Sequence, residues 1–140
     1  MNFPDNCIRG VRKQDHVTAE GGVASVVFQP DSRTAENRAD GGAETSINWE
    51  DDETVLDFTL NHKINGQYQF AHGAVRLARR EIDRINRHPA STNSLTYERA
   101  PLPDNAYHGN IVFRKDLSKP TIKMIASALA LASSSVLRRN

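Results

Sequence analysis

The densest collection of chemically capable side chains lies in one stretch, Pro103-Asp104-Asn105-Ala106-Tyr107-His108-Gly109-Asn110. It carries a carboxylate, a phenol, an imidazole and carboxamides in a turn-rich loop, and loops held by rigid strands commonly carry function. His108 suits a general base, with Tyr107 or Asn105 orienting a substrate oxygen. The same four residues, Asp104, Asn105, Tyr107 and His108, equally suit ligand or partner binding. The plain alternative is a turn in which Asp and Asn bond their own backbone and Tyr107 caps the core edge.

A second set is a ridge of guanidiniums. At about 100° per residue, Arg76, Arg80, Arg84 and Arg87 fall within an arc of about 80°, opposite Val75, Ala78, Ile82 and Ile85. If the helix starts at Arg79, then Arg80, Arg84 and Arg87 keep the stripe. Such a ridge grips phosphates or a partner's carboxylates. Glu81 and Asp83 interrupt it and no aromatic side chain interleaves, which favours an acidic protein over nucleic acid. The plain alternative is a solvated helix face.

Other groups point to less. Glu50-Asp51-Asp52-Glu53 offers hard oxygen donors for Mg²⁺ or Ca²⁺, but no spaced ligand set surrounds it, so a solvated turn between strands is expected. His16, His62, His72 and His88 form no His-x₃-His or His-Glu-x-x-His pattern with one another or with His108. No metal site and no cofactor is expected. Gly-x-Ser-x-Gly and the phosphate-binding loop are absent. Cys7 is the single cysteine, which excludes an internal disulfide and suits a reducing compartment.

The positioning elements follow from periodicity. Val23 to Phe28 is rich in β-branched and aromatic residues and predicts a strand. Pro30 to Gly42 holds little to bury and predicts a long mobile loop. In Glu44 to Trp49, Thr45, Ile47 and Trp49 alternate with Ser46 and Asn48, a half-buried strand. Leu56, Phe58, Leu60 and His62 alternate up to Asn65-Gly66, and Tyr68, Phe70, His72 and Ala74 alternate beyond it, which predicts a hairpin. A three-residue turn, with His62 opposite Tyr68 and Phe58 opposite His72, gathers the apolar side chains on one face.

Further along, a strand to about Leu77 gives way to a helix from about Arg79 to Arg87. Ser94 to Arg99 and Asn110 to Lys115 read as strands around a loop from Ala100 to Gly109. Ser118 is an N-cap with Pro120 in the first turn. The last helix runs to about Val136 through Ile122, Ile125, Leu129, Ala132 and Val136. Met124, Ala128 and Leu131 widen its apolar arc, and Arg138 and Arg139 suit the helix dipole. So apolar a helix packs centrally or against a second copy.

The expectation is one α+β domain over residues 1–140, an antiparallel meander with a short helix and a long C-terminal helix on one face. A hydrophobic fraction of 38 % suffices for one core. No apolar run reaches spanning length, and Met1 to Gly10 does not read as a secretory signal, so a soluble, cytoplasmic protein without a membrane partner is expected. The net charge of +1 conceals −6 in residues 1–70 and +7 in residues 71–140, which suits either attraction within the fold or an acidic partner. The function expected is that of a small accessory protein binding another macromolecule, a protein first, with a second copy through the last helix as one form. The alternatives are a small enzyme using His108 and Tyr107, and a nucleic-acid binder using the arginine ridge.

Overall fold

The computed structural model describes residues 2–140. In chain order the elements are β1 (Asn6–Gly10), β2 (Ala43–Trp49), α1 (Val55–Asn61), β3 (Lys63–Ile64), β4 (Gln67–Tyr68), β5 (Ala74–Ala78), α2 (Arg79–Arg87), β6 (Leu95–Arg99), β7 (His108–Phe113) and α3 (Lys119–Ala132). The five longer strands form one antiparallel sheet in the order β5-β1-β2-β7-β6. The fold is α+β, with α3 packed on one sheet face. No described helix is long and apolar enough to cross a membrane.

Strand alternation decides the two layers of core. Cys7, Ile47, Trp49, Val75, Leu77, Ile111 and Phe113 point to one face, where Ile82 and Ile85 of α2 and Ile125 and Leu129 of α3 cover them. The opposite face buries a smaller cluster, Ile8 and Ala74 against Val55 and Leu60 of α1. Gly109 is what lets the indole of Trp49 cross β7. A Cβ there would collide with that ring, and the indole Nε1 donates to the Glu98 carbonyl at 3.0 Å.

β2, β5, α2 and β6 lie where alternation and helical spacing put them, and β7 begins at His108 rather than Asn110. Ser118 accepts from the Thr121 N–H at 3.2 Å, as an N-cap should. Several segments differ from expectation. Ser25–Phe28 is a 3₁₀ turn, not a strand. It tucks Val27 and Phe28 into the core under α3, so tertiary burial overrides β-propensity. The alternating run before Asn65 is the helix α1, with Val55 and Thr59 buried one turn apart. The hairpin is correspondingly short. It pairs Ile64 with Gln67 and Lys63 with Tyr68, against the register expected. Asn65 and Gly66 both have positive φ, 54° and 80°, the pair of conformations a two-residue turn requires.

The last helix stops at Ala132. Ser133-Ser134-Ser135 favours extended backbone, and the chain then covers the outer edge of β5. Ser134 N donates to Arg76 O, and Ala74 and Leu137 exchange both their bonds. Arg139 therefore does not face a helix end. It donates to the carbonyls of Leu60 and Phe70, with its guanidinium 3.6 Å from the centre of the Tyr68 ring. A further difference is β1, which no periodicity announced. Segment 30–42 contains a 3₁₀ turn, Ser32–Asn37, and Arg38 ties it to the sheet through Glu44 of β2 and Glu98 of β6.

Candidate functional site

The fold distributes the candidate residues over two places on opposite faces of the sheet. The first is a cleft where the sheet splays. β1 pairs with β2 only through Cys7 and Ile8, then stays with β5 while β2 continues with β7. The side chain of Arg9 enters the resulting gap. Its Nε donates to Val27 O and its Nη1 to Ser46 O, both at 2.8 Å. A cleft of about 260 Å³ opens over this gap, bounded by the end of α1, the short hairpin and the loop before β7.

Asp104, Asn105 and His108 line the cleft, together with His62, Arg9 and Arg12. Their states differ. Asn105 is fully engaged: its Nδ2 donates to Asn48 Oδ1 at 2.8 Å, and its Oδ1 accepts from Tyr107 N. Asn48 in turn donates to Thr59 Oγ1 at 2.9 Å. This amide chain holds the loop to β2 and α1. Asp104 stands 3.5 Å from His62 Nε2. His108 Nδ1 lies 2.8 Å from the Ala100 carbonyl. A carbonyl only accepts, so Nδ1 carries the proton and the neutral ring presents Nε2 as an acceptor. Tyr107 is not in the cleft wall. It packs with the cluster under α1, its ring edge-on to Phe58 at 5.2 Å.

The arginines differ in their partners. Arg38, Arg76, Arg79 and Arg99 each meet a carboxylate within 4.0 Å. Arg9 meets none among the described residues, and burial together with the nearby Arg12 cation pushes its pKa down to about 10. Neither Arg9 nor Arg12 stands out in the sequence, and His62 reads there as a strand residue of the hairpin. The signal was a lone arginine inside the apolar run Cys7-Ile8-Arg9-Gly10-Val11, in a strand that went unrecognised.

The second place is a groove between α2 and α3, about 310 Å³. Its floor is Ile85, Met124, Ile125 and Ala128, and Arg84 and His88 stand at its rim. Arg80, Arg84 and Arg87 all face solvent. Arg84 pairs with Glu81 on its own helix and is 68 % exposed, while Arg80 and Arg87 have no ion-pair partner among the described residues. Arg76 leaves the expected ridge. It lies on β5 and forks onto both oxygens of Glu50 at 2.7 Å. α3 contributes Lys119 and Lys123 and no acid. Met124 is 43 % exposed and Leu131 87 %.

The acidic quartet is largely occupied within the fold. Glu50 binds Arg76, Asp51 binds Arg99, and Asp52 caps the turn into α1 through the Thr54 N–H. The quartet thus leads into a helix, not a second strand. No group of three or more His, Cys, Asp or Glu suited to a metal ion occurs among the described residues. Cys7 is buried, and burial, reinforced by Glu50, pushes its thiol pKa up to about 12. No known protein family, curated protein or solved structure matches the chain.

Proposed function

We propose that this is a cytoplasmic accessory protein that binds an acidic, amphipathic helix of another protein in the groove between α2 and α3. The single observation that carries the reading is the apolar floor of that groove with the exposed Arg84 at its rim, on a helix that also exposes Arg80 and Arg87. Helix α2 carries four arginines and two acids, and α3 carries two lysines and none. An amphipathic helix laid into a groove uses anchors at i, i+3 or i+4 and i+7. Met124, Ile125 and Ile85 would take those anchors, and Arg80, Arg84 and Arg87 would meet flanking carboxylates.

The charge distribution supports the same occupant. Three acids of the first half, Asp5, Glu50 and Asp51, already pair with arginines of the second half within the fold. The exposed cations of α2 stand outside those pairs. A phosphodiester chain would use those cations but gain nothing from the apolar floor, and no Phe, Tyr or Trp ring lines the groove for base stacking.

The test is fluorescence anisotropy with labelled helical peptides. They would carry leucine anchors with glutamate flanks, lysine flanks as control, and a single-stranded oligonucleotide in parallel. The glutamate peptide should bind, more weakly at higher salt, because exposed charges are screened. Met124→Asp and the double change Arg80→Glu/Arg84→Glu should each weaken it by about tenfold or more, the weight of an interface hot spot. Equal binding of the lysine peptide, tighter binding of the oligonucleotide, or self-association through α3 in place of peptide binding would overturn the reading.

A further inference from the structure

We infer that the cleft over the β1–β2 splay is a binding site for a small hydroxylated organic anion, whose carboxylate or phosphate sits on Arg9 and Arg12 and whose hydroxyl donates to His108 Nε2. The site lies across the sheet from the α2–α3 groove and does not depend on it.

The argument begins with donors that the fold leaves over. Arg9 spends its Nε and one Nη1 hydrogen on two main-chain carbonyls, which fixes the plane of the guanidinium. Its Nη2 has no partner in the fold, yet it is not among the buried polar atoms left without one. It is therefore not sealed off, and Arg9 is one of the residues that line the cleft. Arg12 lines the same cleft, its guanidinium 5.4 Å from the centre of the Phe70 ring. Two guanidiniums at one cleft, one of them half-buried, repel each other unless an anion lies between them. Arg38 and Arg76, by contrast, each meet a carboxylate, Glu98 and Glu50. Here the nearest acid in the cleft wall, Asp104, faces His62 instead. The depressed pKa of Arg9 reports the same uncompensated cation.

The second half of the site is His108. Its Nδ1–H is committed to the Ala100 carbonyl, so its orientation is fixed and its Nε2 lone pair is an acceptor in a wall otherwise rich in donors. The amide chain of Asn48, Asn105 and Thr59 is internally satisfied and serves to hold the wall rigid. A volume near 260 Å³ lies just below the usual range of ligand pockets, which suits a small molecule and excludes an extended peptide. The apolar side chains of Phe70 and Leu102 complete the wall.

The experiment is an NMR titration of the full chain, following the Arg9 and Arg12 Nε–Hε signals and the His108 ring, with acetate, glycolate and inorganic phosphate as probes and chloride as reference. Acetate should shift the arginine signals saturably. Glycolate should bind about three- to tenfold tighter, the weight of one added hydrogen bond. His108→Ala should remove that advantage, and Arg12→Ala should weaken both carboxylates. Phosphate tighter than acetate would assign the anion as phosphate and support the site. Because Arg9 also holds Val27 and Ser46, its replacement threatens the fold, and the test rests on the other two variants. Shifts no larger than those from chloride, a glycolate preference that survives His108→Ala, or equal binding of acetate and glycolate to the unmodified chain would overturn the inference.

Discussion

Replacing Arg38 with alanine is expected to destabilise the fold by about 2 kcal/mol. Arg38 joins three carboxylates from three segments: Nη1 meets Glu44 at 2.6 Å and Glu98 at 2.7 Å, Nη2 meets Glu98 at 2.9 Å, and Nε and Nη2 fork onto Asp40 at 3.0 Å. Exposed ion pairs contribute about 0 to 1 kcal/mol. Removing one partner from a buried pair costs about 3 to 5 kcal/mol. The side chains of Arg38, Glu44 and Glu98 are 14 %, 23 % and 35 % exposed, between those limits, while Asp40 at 55 % adds little after screening.

Acid pH gives the sign of the same effect. The Arg38 hydrogen bonds lower the Glu98 pKa below its ordinary 4.5 and hold Asp40 at about 2. Carboxylates depressed in the folded state contribute stability that is complete above their unfolded values and is lost as pH falls through the folded ones. The gap between the native chain and Arg38→Ala should therefore narrow from about pH 4.5 downward. Urea denaturation at pH 7 and at steps toward pH 3 reads it, and a cycle with Glu98→Gln should show coupling of about 1 kcal/mol. A variant within about 0.5 kcal/mol of the native chain at pH 7, the ordinary scatter of surface changes, would refute the clamp.

Three further outcomes are expected. Cys7 should resist a thiol reagent at neutral pH and react fully in denaturant, because its thiol is buried and stays protonated; rapid native labelling would contradict the position of β1. Gly109→Val should cost about 2 kcal/mol or more and alter the near-ultraviolet circular dichroism of Trp49, since the new side chain displaces the indole from Glu98. Ser118→Ala should cost about 1 kcal/mol in thermal or chemical melts through loss of the α3 cap.

What the sequence revealed was what local physics fixes. Period two placed β2 and β7 because each sends one set of alternate residues, Ile47 and Trp49 or Ile111 and Phe113, into the main core. The switch at Ala78 from strand to helix was legible because Ile82 and Ile85 restart the pattern at helical spacing. The failures share one cause: side chains whose place is set by distant partners. Leu56, Phe58 and Leu60 alternate by accident, and α1 forms because Val55 and Leu60 cover Ile8 and Ala74 from elsewhere in the chain. Val27 and Phe28 leave the β pattern for the space under α3.

The candidate sites divide in the same way. The 103–110 loop announced His108 and Asp104 by composition. Arg9 became visible only once β1 and β2 were seen to part at Ile8. The arginine row was legible by helical spacing, and its apolar neighbour Met124 by the wide arc of α3. That Arg84 and Met124 share one groove needed the packing of α2 against α3.

The chain has two methionines, Met1 and Met124, so selective methyl labelling gives a spectrum in which one signal reports the α2–α3 groove directly. Titrating the glutamate-flanked helical peptide should shift or broaden the Met124 methyl signal in proportion to bound peptide, and Arg80→Glu/Arg84→Glu should move that titration to about tenfold or more higher peptide concentration. A Met124 signal that stays in place while the peptide binds, or that moves equally with the lysine-flanked peptide, would contradict the groove as the seat of an acidic partner.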